Sequence, residues 1–235
     1  MNKNLLIILM FLPFQLLAQN LVLNPDFENK NGCPSSLGQY RLAENWFSPN
    51  SGTPDYFNDC SNSMDFGTEF NCKGGQIPHS GHGYMGFISE NLHRNAYFEY
   101  LETTLKEPLK AGQIYCIRMF VSLGNTTFAL RELGVVVSQT QLKDLSSGEF
   151  HLPYTSITNG SILSDTREWM CINGFYTAKG GETYLTIGDF GDDNNFVITQ
   201  NVTKTDTSFK SAYYFIDDVS VEVASDRECK CPDVK

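Results

Sequence analysis

The chain has 235 residues, of which 41% are hydrophobic and 13% aromatic, and its 17 lysines and arginines face 27 acidic residues for a formal net charge of -10. A surplus of that sign offers no grip on a phosphate backbone, so nucleic acid is excluded as a partner class; divalent cations, neutral glycans or proteins suit such a surface better. No segment beyond the N-terminus is long and apolar enough to cross a bilayer as a helix, so the chain reads as not membrane-spanning.

Residues 1–18, "MNKNLLIILMFLPFQLLA", place one lysine before an apolar run that ends at a small residue. That is the pattern of a Sec signal peptide cleaved after Ala18. The run is short for a membrane anchor and has no basic stop-transfer flank. No cysteine follows the cleavage point, so a lipid anchor is not expected. The destination is the periplasm, the outer-membrane surface or the extracellular space. All seven cysteines lie in the exported part, where disulfides form readily. Cys33 and Cys60 flank a loop-like segment, and Cys116 and Cys171 sit in two apolar strand candidates. Cys33–Cys60 and Cys116–Cys171 are the preferred pairs, although spacing alone leaves the connectivity open. The odd count leaves at least one thiol free or bonded to another molecule. A zinc site at Cys229 and Cys231 would want more ligands.

From residue 19 onward, short apolar or alternating runs are broken by Gly, Asn, Asp and Pro. Strands are predicted over 20–28, 83–89, 99–105, 113–123, 133–139, 169–178, 183–190 and 213–223. Such a series without sustained helical periodicity predicts an all-β antiparallel sandwich or barrel. Residues 19–224 read as one domain and 225–235 as a polar tail. The segment 29–82, rich in Gly, Ser, Asn, Pro and aromatics, reads as large loops, where binding commonly resides. In the last strand, "YYFIDDVSVEV", strict alternation puts Phe215, Asp217, Val219, Val221 and Val223 on one face. Asp217 then sits on the apolar side and needs a partner. An arginine such as Arg118 or backbone N–H groups at a sheet edge are two candidates.

In order and spacing, "LVLNPDFE", "HSGHGYMGF" and "YYFIDDVSVEV" resemble the marks of jelly-roll carbohydrate-binding modules of the galactose-binding-like superfamily. More closely, "CPSSLGQ", "NWFSPNSGTPDYFNDC", "EYLETTLKEPLKAGQIYCIRMFVSL", "ELGVVVS" and "GGETYLTIGDF" resemble an extracellular domain of Bacteroidetes envelope proteins. That domain is often found ahead of an OmpA-type peptidoglycan-binding domain. The likeness spans nearly the whole mature chain, but no such following domain is matched after "CKCPDVK". The resemblance implies a jelly-roll sandwich with a structural Ca2+ held by Glu28, Asp217 and backbone carbonyls around Ser80 and His82. A hard cation of that kind takes about six to eight oxygens. It would neutralise Asp217 and tie the chain ends together.

The loop "GDFGDDNN" gathers Asp189, Asp192, Asp193, Asn194 and Asn195. It could hold a second calcium, but it lacks EF-hand spacing, and an acidic turn is more commonly just solvated. Sugar faces use aromatic rings flanked by hydrogen-bonding side chains. Trp46, Tyr56, Phe57, Tyr84, Tyr97 and Tyr100 are available, with Asp55, Asn58, Arg94 and Asn95 nearby. Tyr56 and Tyr97 stand in polar surroundings and are the preferred platforms; Trp46 and Tyr84 are expected to pack in the core. There is no G-x-S-x-G elbow and no H-E-x-x-H helix, and His79 and His82 fall in a glycine turn. The reading is a non-catalytic exported binding module for a glycan or an envelope protein. A subunit docking onto an outer-membrane complex is the alternative, and a glycoside hydrolase is disfavoured.

Overall fold

The computed structural model describes residues 19–91, 97–126, 128–191, 193–198, 211–224 and 228–231. The proposed signal peptide lies outside the described residues. Twelve strands follow in order: β1 Trp46–Phe47, β2 Asp55–Asn58, β3 Gly83–Asn91, β4 Leu101–Thr104, β5 Ile114–Leu123, β6 Phe128–Leu130, β7 Leu133–Ser138, β8 Thr155–Ile157, β9 Met170–Thr177, β10 Tyr184–Gly188, β11 Phe196–Ile198 and β12 Ser211–Val223. They form two antiparallel sheets of order β1-β4-β10-β7-β8 and β2-β3-β12-β5-β9, with β6 and β11 as a separate pair. This is an all-β jelly-roll sandwich.

Period-two alternation builds the core between the sheets. On β5, Tyr115, Ile117, Met119, Val121 and Leu123 point inward and meet Leu185 and Ile187 of β10 and Leu133 and Val135 of β7. Each fully buried aliphatic side chain contributes about 1.5–3 kcal/mol. The outer faces are roofed by the chain's own loops. Over the first sheet, Phe98, Tyr100, Val136 and Phe190 pack with Leu142, Phe150 and Leu152. Over the second, Phe57, Tyr84, Tyr213 and Phe215 pack with Ile88 and Trp169. The Tyr84 hydroxyl holds the covering loop there: it donates to the Thr68 carbonyl at 2.8 Å and accepts from Gln76 N–H at 3.0 Å.

Four expectations need correction. The opening run 20–28 is not a strand; it makes only an isolated bridge, Val22 to Leu105. Asn24 and Phe27 take φ of 49° and 58°, which end an extended run. The Asn24 amide closes the resulting turn on the Asn29 and Glu44 carbonyls, both at 2.9 Å. The segment 29–82 is not all loop either, since it supplies β1 and β2.

The face assignment along β12 also changes. Asp217 pairs with Phe120 but Ser220 with Arg118, so one extra residue is inserted at a bulge where Asp218 has φ 48°. The bulge flips the alternation. Ile216, Val219 and Val221 share the inner core, whereas Phe215 joins the outer aromatic cluster. Asp217, opposite Phe120 on that outer side, is nonetheless fully buried.

Cys33 pairs with Cys60, but Cys116 and Cys171 do not pair with each other. Their strands are neighbours, yet Cys116 stands opposite Phe175 and Cys171 opposite Phe120. That offset of four rungs is about 13 Å, beyond the reach of a disulfide. Each binds the polar tail instead, Cys116 to Cys229 and Cys171 to Cys231, with Cα separations of 5.2 and 5.9 Å. Residues 228–231 therefore form a strap across β5 and β9. Cys72 is the free thiol.

Candidate functional site

Asp217 is met by a turn from far along the chain. Its Oδ2 accepts N–H from His79 at 2.9 Å and Ser80 at 3.1 Å, and its Oδ1 accepts from Asp218 N–H at 2.8 Å. Glu28 reaches the other end of the same turn, where Oε1 accepts N–H from His82 at 2.6 Å and Gly83 at 2.9 Å. Gly81 between them has φ 62°, and a Cβ there would lie 2.4 Å from the Glu28 carboxyl carbon, so the turn requires glycine. Side chains add to the clamp: His79 Nδ1 lies 2.5 Å from Asp218 and His82 Nδ1 2.7 Å from Asp59. The His79 ring stacks on Phe120 at 3.6 Å.

Glu28 and Asp217 thus do converge on residues 79–83, and the opening segment does run beside the closing strand, with Leu21 N–H donating to the Val221 carbonyl at 2.8 Å. What the turn offers the carboxylates is N–H. A calcium ion needs oxygens, and the His82 carbonyl accepts instead from Asp59 N–H at 3.0 Å. Among the described residues no group of three His, Cys, Asp or Glu side chains could hold a metal. This arrangement does not fit the ion. Arg118 is not the partner either; it lies 3.7 Å from Glu222. Burial and the adjacent Asp218 charge push Asp217 up to about 8 against the pull of its three N–H donors.

The proposed sugar platforms are placed differently. Tyr56 is buried and its hydroxyl donates to the Phe27 carbonyl at 2.9 Å. Asn58 is also buried; its amide donates to the Tyr56 hydroxyl at 2.9 Å and its carbonyl accepts from Cys60 N–H at 3.0 Å. Both hold β2 in place and present no face to a ligand. Tyr97 is half-buried, with its hydroxyl donating to Glu99 at 2.9 Å. Arg94 and Asn95 lie outside the described residues. Trp46, Phe57, Tyr84 and Tyr100 are buried, as aromatics of a sandwich core.

The remaining buried acids are also bound within the fold. Asp55 accepts from the Tyr213 hydroxyl at 2.7 Å and from Gly38 N–H at 2.7 Å. Glu99 accepts from Ile88 N–H at 2.8 Å, and burial with the nearby Asp55 charge raises it to about 7. Glu102 accepts from the Thr186 hydroxyl at 2.8 Å, and burial raises it to about 7. Asp189, expected to be solvated or to bind metal, is buried and accepts from Asn195 and Gly191 N–H, both at 3.0 Å. Asp192 lies outside the described residues.

A cleft of about 520 Å3 opens instead in the loop between β8 and β9. Asn159, Ser161, Asp165, Arg167 and Glu168 line it, with Ile162 and Met170 as apolar wall. No binding motif marks this stretch, "NGSILSDTREWM". Its Asn-Gly and Asp-Thr turn signals were visible, but nothing local shows that they enclose a recess.

No protein-family model matches the chain, and no curated protein matches it. Among solved structures, it is similar to the CBM22-1 xylan-binding domain from Paenibacillus barcinonensis Xyn10C at 11% identity and TM-score 0.43, covering 84% of this chain and 90% of that one. The K2 cleaved adhesin domain of Lys-gingipain follows at 11% identity and TM-score 0.41, covering 85% and 97%. TmCBM61, solved in complex with β-1,4-galactotriose, has 13% identity and TM-score 0.39, covering 88% and 99%. These are distant likenesses in strand layout.

Proposed function

We propose that this chain is a non-catalytic binding domain that works outside the cytoplasm and takes a glycan. The observation that carries the reading is the polar cleft between β8 and β9, whose volume lies in the range of small-ligand sites. The disposition of the acids supports the non-catalytic part. Asp55, Glu99, Glu102, Asp189 and Asp217 are each buried and bound by donors of the fold. A hydrolase needs a carboxyl pair open to substrate; of the two carboxylates in the cleft, Asp165 is engaged by the Arg167 and Glu168 N–H groups at 2.8 and 2.9 Å, which leaves Glu168 as the free one. Three disulfides suit an oxidising compartment, and among the described residues no helix is long and apolar enough to cross a membrane.

The test is retention of the purified chain on a panel of immobilised polysaccharides, with reducing ends counted in parallel. Retention without new reducing ends is the expected result. Passage through every column would end the glycan reading, and release of reducing ends would make the chain a hydrolase. Docking onto an outer-membrane protein complex is a second reading. It draws on the exposed side chains of Met64, Phe70 and Ile77, which are 76%, 62% and 67% accessible in one covering loop. A defined envelope complex that incorporates the chain, and loses it on Phe70→Ser, would favour that reading.

A further inference from the structure

We infer that the cleft in the 159–170 loop is the sugar subsite and takes a neutral glycan through Arg167 and Glu168. This rests on the glycan reading above and adds its location, its contacts and its ligand class.

The backbone of the loop is committed to the fold. At its neck, Thr158 and Asn173 exchange N–H to carbonyl bonds of 3.1 and 3.2 Å. Leu163 is fully buried in the core; its N–H donates to Leu130 at 2.9 Å, and its carbonyl accepts the Tyr214 hydroxyl at 2.8 Å. The Asp165 carbonyl accepts from Leu123 N–H at 2.7 Å and the Arg167 carbonyl from the Gln76 amide at 2.8 Å. Cys171, just past the loop, is bonded to the strap. A loop tied at so many points loses little freedom when a ligand arrives.

Its side chains are differently disposed. Asp165 Oδ1 folds back on the Arg167 and Glu168 N–H groups at 2.8 and 2.9 Å, which sets those two residues side by side. The Arg167 guanidinium and Glu168 carboxylate are exposed and make no hydrogen bond or ion pair among the described residues. Donor and acceptor therefore stand free at the edge of a recess whose backbone is held.

The lining selects the ligand. Two carboxylates against one guanidinium disfavour a polyanion; with no aromatic ring in the wall, a flat apolar ligand is disfavoured and a sugar is held by hydrogen bonds rather than by stacking on a ring. Hydroxyl-rich, uncharged rings match a site that offers a guanidinium fork, carboxylate acceptors, the Ser161 hydroxyl and the Asn159 amide, with Ile162 and Met170 against the C–H face.

Calorimetric titration of the full chain with neutral gluco-, manno-, galacto- and xylo-hexaoses, and with oligogalacturonate as the anionic probe, tests this. Wild type is expected to bind at least one neutral hexaose more tightly than oligogalacturonate. Arg167→Ala and Glu168→Gln should each weaken that binding about tenfold or more, with the melting temperature unchanged because both side chains are exposed. Leu145→Ser, on a different loop, should bind as wild type. If both cleft variants bind like wild type, the subsite is wrong while the glycan reading stands. Tighter binding of oligogalacturonate overturns the ligand class. No binding of any probe by wild type overturns the glycan reading and this inference together.

Discussion

Glu102 shows what an acid costs when only part of its charge is answered. It is fully buried on the outer face of the first sheet, with the Thr186 hydroxyl at 2.8 Å and Leu142 N–H at 3.3 Å as its donors. Burial lifts it to about 7. The unfolded chain releases this proton near the ordinary carboxylate value of 4.5, while the folded chain keeps it. Between those two values the native state binds more protons than the unfolded one, so stability falls as pH rises from about 4.5 to about 7. Glu102→Gln removes the titration and can still accept from Thr186. Denaturant melts at pH 5 and pH 8 should show the variant gaining about 1–3 kcal/mol over wild type at the higher pH only. An equal difference at both values would mean that Glu102 does not titrate in this range.

Gly86 makes the opposite point, that an absent side chain can be a requirement. A Cβ there would lie 2.2 Å from the Tyr213 hydroxyl, the group that donates to Asp55 at 2.7 Å. Gly86→Ala should displace Tyr213 and leave Asp55 short of a donor, at a cost of about 1–3 kcal/mol. A crystal structure of the variant with Tyr213 unmoved would refute the account.

At the scale of elements, the β12 bulge and the turn 79–83 form one device. The bulge turns Asp217 and Asp218 onto the side where that turn arrives, and peptide N–H groups close the contact. Asp217→Ala removes the acceptor for three N–H groups at once, and an unmet buried donor costs about 1–3 kcal/mol. The variant should melt well below wild type. EDTA should leave wild-type melting where it was, and a drop on chelation would show that a cation sits where the turn is drawn.

The strap acts on β9, the edge of the second sheet. Lys230, between the two tail cysteines, accepts from Arg118 at 3.0 Å at its carbonyl, so the strap is both bonded and cross-linked to the face it covers. Replacing Cys229 and Cys231 together by serine should cost about 2–4 kcal/mol per lost cross-link. The β9 amides should then exchange hydrogen faster than those of β10. Unaltered β9 protection would make the strap an ornament of the surface.

Across the whole molecule, both sheets draw on one inner core, with Tyr115 to Leu123 of β5 meeting residues of β4, β7 and β10. Chemical unfolding with disulfides intact should therefore be one transition, with far-UV and near-UV signals superimposed. Two separated midpoints would mean that the sheets are independent units.

The sequence by itself determined what a two-residue period can encode. The alternation in "IYCIRMFVSL" and "LGVVVS" makes strands with one buried face, and strands of that kind stack as a sandwich. The clustering of cysteines beyond residue 18 foretold cross-links, and their odd number a free thiol. Local pattern could not supply the parity of β12 beyond Asp217, because a bulge resets alternation without changing composition. Nor could it tell which cysteines meet, since the offset of four rungs between Cys116 and Cys171 belongs to the register of two strands. The partner of Asp217 is a turn 138 residues earlier, and it answers the carboxylate with backbone N–H groups that every residue but proline carries. The cleft likewise exists only because Leu163, Asp165 and Arg167 are tied to strands and a loop elsewhere in the chain. Tertiary structure decided these because each depends on which distant groups share a few ångströms, and no nearest-neighbour pattern records that.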